Sequence, residues 1–508
     1  MKAISSALRS HIERRLFVYP INKYFHLPSG YKPNTEPIKK LPVAQCLKVW
    51  LMSLKPNRLE EIQDELVHLM YPLHAKDNHG VSIEKNKIKI DQNNHINEIS
   101  FEVTNNLDKP IKHLVFIHGY GASLGCFARN FQIINKLKGL KYNYKVHFLD
   151  NISFGLSSNP RINSNLISHW KIPRCVPIKL NDPDQPTDLK KLHRKYYKLI
   201  ESYSCGSREF QKYQKKFKPI IEDIEAYYLT AIDKWRIASK LDKIDFLTAH
   251  SFGAYWSASY AVKYPHALNN LILLSPVGLE RHVHAITNNT ISDKSKEVTL
   301  KPTLDPSSFR FLSRLPILSK QHVRKWYHIQ PYLPRLLRFM GPFGVQKFYD
   351  MWYLKLFKIN RLISKKGGAE NVFCSSNDLV YGTNKECHLI VEYLYNSMSQ
   401  GSNSDIYIKN LLTPSTVSKW PLYDKFEAFA SKHKEEIIPF GLHLSYGQFD
   451  FMNSEAGLML CNRINEISGP DAAHFHEISE SGHNLYIDNP METNALIAKI
   501  VEQDELNG

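Results

Sequence analysis

Residues 247–253, with the sequence LTAHSFG, constrain the fold more than any other stretch of the chain. A short apolar run precedes the serine and a helical pattern of small and aromatic residues follows it. The stretch therefore predicts a buried strand that turns sharply into a helix, with Ser251 at the apex. Such a turn crowds the positions two before and two after the serine, which need small residues. Ala249 and Gly253 occupy these positions, although glycine is usual at the first of them. This pattern predicts a nucleophile elbow that must accommodate the Ala249 methyl group.

Strands and helices alternate along much of the chain. Helical patterns cover residues 123–137, 220–240 and the stretch after Ser251. Apolar runs typical of buried strands lie at residues 99–103, 114–117, 144–149, 244–247, 271–274, 441–445 and 475–478. This alternation predicts an α/β fold with a mostly parallel central sheet and helices on both faces.

Two long stretches interrupt the alternation. Residues 161–218 are polar, with a middle rich in Lys, Arg and Tyr, and predict an insertion. Residues 281–439 separate two predicted strands by far more than one crossover needs, so they predict a helical cap or lid inserted into the sheet. The predicted core comprises residues 99–280 and 440–508, and an N-terminal extension at 21–98 precedes it.

The N-terminus has the composition of a targeting segment. Ile4, Leu8, Ile12 and Leu16 recur at helical spacing, with arginines on the other faces and a single acid. This pattern predicts a mitochondrial presequence over residues 1–20, with an ordinary basic amphipathic helix as the alternative. No run of 18 apolar residues predicts a membrane span. Seven dispersed cysteines without C-x-x-C spacing favour a reducing compartment and predict neither a disulfide framework nor a zinc site.

A serine nucleophile needs a base, a carboxylate that orients the base, and N–H donors for the oxyanion. Asp450 and His483 each follow the end of a predicted strand, and residues 118–121, HGYG, follow another. Alone, each of these is typical of an ordinary turn. Together, the order Ser251, Asp450, His483 along the chain is that of α/β-hydrolases. The sequence therefore predicts a catalytic triad, with the glycine-containing loop facing the oxyanion.

His483 also begins a second pattern. Asp488 follows it at the H-x4-D spacing of glycerolipid acyltransferases, in which the aspartate orients the histidine towards a substrate hydroxyl. The same aspartate, followed by Asn489 and Pro490, is also a good turn and helix start. Both interpretations of the pair remain open at this point.

Several motifs together resemble one lipid-metabolising branch of the α/β-hydrolases. This branch includes the fungal mitochondrial cardiolipin-specific deacylase, proteins assigned lysophosphatidic acid acyltransferase activity and the animal lipid-droplet lipase co-activator. The resemblance covers about residues 99–160 and 220–500. The motifs are HGYGAS from residue 118, DNISFGLSSNP from 150, the Trp235 helix leading into LDK at 241, AHSFGAYWSASYAVKYP from 249, LILLSPVGL from 271, GPFG from 341, YGQFDFM from 446 and HNLYIDNP from 483.

The resemblance implies roles for five residues. Ser251 would be the nucleophile, Asp450 the orienting acid and His483 the base, and Tyr120 and Phe252 would contribute the oxyanion N–H groups. The animal co-activator has asparagine at the position of the nucleophile, whereas this chain has Ser251. The resemblance therefore implies an active hydrolase.

The net charge of +17 is concentrated in the predicted cap. Residues 301–367 contain fourteen Lys or Arg against two Asp, interleaved with twelve aromatic residues. Cations suit anionic headgroups and rings suit the bilayer interface, so the segment predicts an anionic phospholipid membrane surface as partner. Nucleic acid could use the same side chains, but no nucleic-acid-binding motif accompanies them. A basic solvated face over an aromatic core is the alternative.

These observations predict a mitochondrial serine phospholipase, peripheral on the inner membrane, which deacylates an anionic glycerophospholipid. Cardiolipin is the preferred substrate. One alternative is an acyl-CoA-dependent lysophosphatidic acid acyltransferase that uses His483 and Asp488, and the other is a non-catalytic scaffold that activates a partner lipase. No cofactor, metal ion or nucleic acid is expected, and the sequence predicts no particular protein partner.

Overall fold

The computed structural model describes residues 41–71, 80–167, 173–181, 201–291, 296–312, 326–328, 333–356, 384–433 and 438–507. The strands within these residues are β1 (Val81–Lys89), β2 (His95–Val103), β3 (Ile111–Ile117), β4 (Asn143–Leu149), β5 (Ile178–Asn181), β6 (Ser202–Gly206), β7 (Ile244–His250), β8 (Leu268–Leu274), β9 (Glu297–Leu300), β10 (Gly441–Gly447) and β11 (Ala473–Ile478). Eight of them form the central sheet, in the order β1-β2-β4-β3-β7-β8-β10-β11. β2 pairs antiparallel with β1 and β4, and every other neighbouring pair is parallel. The prediction of a mostly parallel sheet is confirmed.

Helices cover both faces of this sheet. The α-helices are α1 (Val43–Ser53), α2 (Arg58–Met70), α3 (Ile133–Leu137), α4 (Ser207–Ala238), α5 (Ser251–Lys263), α6 (Leu333–Phe339), α7 (Pro342–Leu356), α8 (Asn384–Ser399), α9 (Ser404–Leu411), α10 (Leu422–Lys432), α11 (Ser454–Ser468), α12 (Leu485–Asp488) and α13 (Pro490–Asn507). α4, α5, α10 and α11 bury their apolar sides in one core, and α1, α2, α3 and α13 bury theirs in the other. β7 and β8 lie between the two layers, which explains their nearly continuous apolar sequences.

A second, smaller sheet joins the insertion to the cap. In it, β6 lies between β5 and β9, and both pairings are antiparallel. β5 and β6 come from the predicted insertion at 161–218, whereas β9 comes from the predicted cap at 281–439. Tyr203 and Cys205 of β6 are buried beneath this sheet. Two stretches predicted as separate insertions therefore share backbone hydrogen bonds.

The central sheet begins before the predicted core boundary at residue 99. β1 pairs with β2 along its whole length, from Val81 opposite Val103 to Lys89 opposite His95. β1 alternates exposed and half-buried residues, because it is an edge strand, and so it lacks an apolar run that would reveal it. The sheet therefore starts at Val81, within the predicted N-terminal extension.

The helices also differ from the prediction in detail. The predicted helix at 123–137 is a 3₁₀ helix (Leu124–Gln132) followed by α3, and α4 begins at Ser207, inside the predicted polar insertion. The backbone N–H of Leu124 donates to the Asp150 carboxylate, and that of Gly125 donates to the hydroxyl of Tyr393, so side chains shape the first turn.

The presequence predicted at 1–20 lies outside the described residues. Within the described ranges, no helix has the length and apolarity to cross a bilayer.

Candidate active site

Ser251 lies where β7 ends and α5 begins, at the carboxyl end of the sheet. Its φ angle is 52°, in the left-handed region that L-residues rarely adopt, and the residue is buried. A Cβ atom on Gly253 would lie 2.3 Å from the carbonyl oxygen of His118, so this position requires glycine. Ala249 lies fully buried in β7, opposite Ile117 of β3. The turn therefore has the geometry of a nucleophile elbow, and the alanine methyl group fits within the strand before it.

Three side chains meet at this turn. His483 Nε2 lies 2.9 Å from Ser251 Oγ, and His483 Nδ1 lies 3.1 Å from Asp450 Oδ1. Asp450 lies in the turn after β10, and His483 lies in the loop after β11. With its proton on Nδ1, the imidazole donates to Asp450 and accepts from the Ser251 hydroxyl, as a general base requires. The structure thus brings together the three residues predicted as the triad.

The surroundings of Asp450 favour its ionised form. Burial raises the pKa of this carboxyl, but the charge of the neighbouring His483 and hydrogen bonds from His483 and Met452 have the larger, opposite effect. The Met452 N–H donates to Oδ1 at 3.0 Å. The resulting pKa lies below the usual value for an aspartate. A buried carboxylate at this point stabilises the imidazolium that forms when His483 accepts a proton.

His250, the residue before the nucleophile, positions the loop that carries His483. His250 Nε2 lies 2.9 Å from the carbonyl oxygen of His483, so this nitrogen carries the proton and donates. The His250 ring also packs against the His483 ring, at 4.9 Å between centroids, and against Tyr486, at 4.7 Å. Burial, together with the nearby His483, lowers the pKa of His250 to about 3, so the ring stays neutral. This role was not predicted from the sequence, although the position beside Ser251 was a signal for it.

The loop at residues 118–121 lies directly against the nucleophile. A Cβ atom on Gly119 would lie 3.0 Å from Ser251 Cβ, and Gly121 has a φ angle of 67°. Tyr120 follows Gly119, and Phe252 follows Ser251, so both predicted oxyanion donors lie beside the serine. Their rings pack edge to face at 6.0 Å between centroids. The arrangement suits two backbone N–H groups that stabilise negative charge on a substrate oxygen.

His118 holds this loop in shape. Its Nδ1–H donates to the carbonyl oxygen of Gly119 at 2.8 Å, and its Nε2 accepts from the Asn151 N–H at 3.0 Å. Burial lowers the pKa of His118 to about 4, so the neutral ring can donate and accept at once. Asp150, which precedes Asn151 in the chain, is also buried and accepts from the backbone N–H groups of Leu124 and Leu156. The turn after β4 is therefore part of the scaffold beneath the oxyanion loop.

The cap contacts the oxyanion loop through Tyr120. The Tyr120 hydroxyl donates to Asp405 Oδ1 at 2.6 Å, and the Arg335 guanidinium donates to Asp405 Oδ2 at 2.8 Å. Asp405 belongs to α9 and Arg335 to α6, so two cap helices meet at this point. Burial raises the pKa of Asp405 more than its two partners lower it. A cavity of about 240 Å³ opens here, lined by the oxyanion loop, parts of the 153–159 turn, the residues that end and follow α8, and Asp405.

Asp488 makes no hydrogen bond to the imidazole of His483. Its Oδ2 accepts from the backbone N–H of Gly482 at 2.9 Å, while Asp450 occupies the Nδ1 side of the ring. Burial raises the pKa of Asp488 to about 6. Of the two interpretations of the H-x4-D pair, the structure favours the turn, because this aspartate holds the backbone of the histidine loop and not the ring.

A buried ion pair joins the cap to the same loop from behind. Arg129 Nε and Nη2 donate to the Glu386 carboxylate at 2.6 and 2.9 Å, and Arg129 Nη1 donates to the carbonyl oxygen of Ile487 at 2.6 Å. Arg129 lies in the 3₁₀ helix, Glu386 in the first turn of α8 and Ile487 in α12. The pair was not predicted from the sequence, because its members lie 257 positions apart and no local pattern links them.

Further histidines cluster on β10 and β11, away from the triad. The rings of His443 and His474 stack at 4.8 Å between centroids, and His443 Nδ1 lies 3.3 Å from His476 Nε2. Burial, together with His474 and His476, lowers the pKa of His443 to about 3. Among the residues that the structure describes, no three His, Cys, Asp or Glu side chains are arranged to hold a metal ion.

Comparison with known proteins shows which proteins this chain is similar to. A model of the alpha/beta hydrolase fold family matches residues 112–325. Protein ECM18 of Saccharomyces cerevisiae is 28% identical over 448 residues, which cover 88% of this chain and 81% of the yeast protein. The 1-acylglycerol-3-phosphate O-acyltransferase ICT1 of the same yeast is 25% identical, with 74% of this chain and 78% of ICT1 covered. The human 1-acylglycerol-3-phosphate O-acyltransferase ABHD5 is 22% identical, with coverages of 82% and 85%.

Solved structures show lower similarity. The carboxylesterase CesB from Bacillus subtilis has a TM-score of 0.42 and 11% identity, covering 89% of this chain and 97% of CesB. A bacterial membrane phospholipase A, described as a virulence factor, has a TM-score of 0.42 and 14% identity, with coverages of 92% and 96%. On the evidence of its sheet topology, the family match and its relatives, the chain has the α/β-hydrolase fold, and its relatives lie in the lipid-metabolising branch that its motifs resemble.

Proposed function

We propose that the protein is a serine phospholipase that deacylates an anionic glycerophospholipid, with cardiolipin as the preferred substrate and monolysocardiolipin and a fatty acid as products. The observation that carries this proposal is the geometry at Ser251. The serine stands on a strained turn, 2.9 Å from His483, whose other ring nitrogen is 3.1 Å from a buried Asp450. This is the arrangement that activates a serine as a nucleophile towards esters.

The chemistry follows from these positions. Ser251 Oγ attacks the ester carbonyl carbon while His483 Nε2 accepts the hydroxyl proton. The N–H groups of Phe252 and Tyr120 stabilise the negative charge on the former carbonyl oxygen. His483 then gives its proton to the departing lysolipid alkoxide, which leaves an acyl group on Ser251. In the second half, His483 takes a proton from water, the resulting attack releases the fatty acid, and the proton returns to Ser251.

The charge of the cap supports an anionic lipid as substrate. Residues 301–367 carry fourteen basic residues against two acidic ones, interleaved with aromatic side chains, a composition that suits an anionic bilayer. The names of ICT1 and ABHD5 state that those relatives act on 1-acylglycerol-3-phosphate, which is itself an anionic glycerolipid. We also propose a mitochondrial location, peripheral on the inner membrane, on the composition of residues 1–20. Subcellular fractionation followed by carbonate extraction tests this location.

The principal experiment compares wild type with Ser251→Ala. Vesicles of mixed mitochondrial phospholipids are incubated with each purified protein, and the lysolipids and fatty acids are measured by mass spectrometry. Wild type should deplete cardiolipin ahead of neutral phospholipids, and Ser251→Ala should release no fatty acid. Ser259→Ala, a buried serine on the same helix, is the matched control and should behave as wild type. Fatty acid release by Ser251→Ala equal to that of wild type would contradict the assignment of Ser251 as the nucleophile.

A second candidate is acyl transfer from acyl-CoA to lysophosphatidic acid, which the names of ICT1 and ABHD5 favour. This reaction would use His483 as base and Asp488 as its partner in the H-x4-D pair. An acyltransferase of that kind should lose activity in Asp488→Asn and tolerate Ser251→Ala, whereas the phospholipase should show the reverse. A non-catalytic scaffold would fail to react with a fluorophosphonate probe, whereas the proposed enzyme should be labelled at Ser251.

A further inference from the structure

The first described helix, α1, exposes an apolar stripe to solvent. Its buried residues are Cys46, Val49 and Ser53, as expected for the face that packs on the domain. Beside this face, Val43, Leu47 and Leu51 recur every fourth residue, followed by Leu54, and each is between 43% and 52% exposed. Gln45 and Lys48 are exposed on the same helix. A surface helix ordinarily buries its apolar stripe, whereas this one lies open to solvent and is bordered by polar side chains.

A second exposed apolar group lies at the junction of α6 and α7. Phe339 is 87% exposed, Phe343 66% and Leu336 49%. Leu336 and Phe339 are three positions apart on α6, so they project from one side of that helix, and Phe343 lies in the first turn of α7. Scattered single apolar side chains are ordinary on protein surfaces, whereas a group of large ones marks an interaction site.

The two groups flank a single seam, because α1 packs against the α6–α7 junction. The indole Nε1 of Trp50 donates to the carbonyl oxygen of Arg338 at 3.0 Å, and Arg338 donates in turn to the carbonyl oxygen of Ser53. Gly341, in the turn between the helices, lies close to the Trp50 ring. We call the surface on both sides of this seam the docking patch. It comprises Leu47, Leu51, Leu54, Leu336, Phe339 and Phe343.

The charges around the docking patch are mostly basic. Residues 41–57 and 333–350 contain one acid, Asp350, which is half-buried and lies near Cys46 of α1. The same residues contain Lys48, Lys55 and Lys347, all exposed, in addition to two arginines. Apolar side chains framed by basic ones match a bilayer with anionic headgroups, where the rings and leucines enter the interface and the lysines bind phosphates. A second copy of the chain would bring like charges together at the same patch, which disfavours self-association through it.

We propose that the docking patch is the surface by which this protein binds an anionic bilayer. The identification of the occupant as lipid rests on the proposed function. The position of the patch supports it, since Arg335, the residue before Leu336, reaches Asp405, which lines the cavity beside the oxyanion loop. A membrane held at α6 would therefore lie near this cavity, which the oxyanion loop lines. Helices α6 and α7 of the cap are then one half of the membrane-binding surface, and α1 is the other.

Vesicle flotation with the full-length protein tests the proposal. The probes are vesicles of phosphatidylcholine alone and of phosphatidylcholine with a third of phosphatidylglycerol. The patch variant is Leu51→Glu with Phe339→Glu, and Leu47→Glu with Phe343→Glu is a second, independent one. The control is Leu107→Glu with Leu506→Glu, since these leucines are 91% and 86% exposed but lie outside the patch. All variants are compared with wild type by melting temperature and by hydrolysis of a soluble short-chain ester.

Wild type should bind the anionic vesicles, and each patch variant should need at least about tenfold more lipid for half-maximal binding. The control should stay within about twofold of wild type. Replacing Lys48, Lys55 and Lys347 together by alanine should weaken binding to the anionic vesicles alone. Binding by the patch variants at the wild-type level overturns the proposal, whether residues 1–40 or a second copy covers the patch instead. Loss of binding in the control to the same extent also overturns it.

The same experiment separates this proposal from the proposed function. The patch variants should keep the soluble esterase activity of wild type, because no patch residue belongs to the triad. If wild type binds vesicles through the patch but neither it nor Ser251→Ala hydrolyses any ester, the phospholipase proposal fails and the docking proposal stands. If wild type hydrolyses esters but the patch variants bind vesicles normally, the docking proposal fails alone.

Discussion

Replacement of Gly253 by alanine tests whether the elbow itself, beyond the presence of the triad, determines activity. The added Cβ atom would lie 2.3 Å from the carbonyl oxygen of His118 and 2.9 Å from that of Ile117, whereas ordinary contacts begin at 3.4 Å. Both oxygens belong to the backbone, so α5 and the oxyanion loop must separate by about 1 Å, since a packed interior cannot absorb the contact. A displacement of that size at reacting groups reduces kcat about 100-fold, which is about 2.7 kcal/mol of transition-state stabilisation. Overpacking should also lower the free energy of unfolding by about 1–3 kcal/mol.

The assay is steady-state hydrolysis of a soluble ester such as p-nitrophenyl butyrate, with the melting temperature measured on the same samples. Ala249→Gly is the matched control, because it changes the other small position of the elbow. Loss of this buried methyl group from β7 should reduce stability by about 1 kcal/mol and leave kcat within about twofold of wild type. A Gly253→Ala enzyme with more than half of the wild-type kcat and an unchanged melting temperature would refute the reasoning. A larger loss of kcat from Ala249→Gly than from Gly253→Ala would refute it as well.

Three further substitutions test the contacts around the site. Tyr120→Phe keeps the backbone N–H but removes the hydroxyl that donates to Asp405. The kcat for a soluble ester should therefore fall about tenfold, with KM nearly unchanged. An unaltered kcat would contradict the positioning role of the cap. Glu386→Gln removes the charge that Arg129 binds in the interior, so the free energy of unfolding, measured in urea, should fall by about 3–5 kcal/mol. A decrease below about 1 kcal/mol would contradict the importance of the pair. Burial raises the pKa of Asp488 to about 6, so the folded state binds this proton more tightly than the unfolded state, and the contribution of the group to stability increases as pH falls through 6. Asp488→Asn should therefore be more stable than wild type at pH 7, by about 2–3 kcal/mol, and the difference should shrink towards pH 4. The variant should retain ester hydrolysis. Urea unfolding at both pH values measures the difference, and lower stability of the variant at pH 7 would contradict the prediction.

The parts of the fold that sequence reasoning predicted are those with strong local patterns. Strands such as β7 and β8 are buried on both faces, so their residues form apolar runs that are visible without any structure. Asp450 and His483 were predicted because each follows such a run, and the carboxyl ends of parallel strands meet at one edge of the sheet. β1 was not predicted, because an edge strand alternates half-buried and exposed residues and its sequence resembles that of a polar loop.

The remaining features depend on contacts between distant parts of the chain. Tyr120 and Asp405 are 285 positions apart, and no pattern at either residue indicates the other. Asp488 illustrates the same point, because its spacing from His483 suggested a contact with the ring, whereas the fold places its carboxylate on the backbone of Gly482. The second sheet was missed because strands of four or five residues, formed from separate insertions, carry too few apolar residues to be recognised.

The buried guanidinium of Arg129 makes the cap inseparable from the α/β-hydrolase core. It binds the first turn of α8 and the carbonyl oxygen of Ile487, four residues after His483, at the same time. Excising the cap would leave a charge in the interior and loosen the segment that carries His483. A chimaera that borrows the cap of a relative faces the same difficulty unless an acid occupies the position of Glu386. The smallest unit that can be exchanged between such proteins therefore comprises the cap helix α8 together with the 3₁₀ helix that holds Arg129.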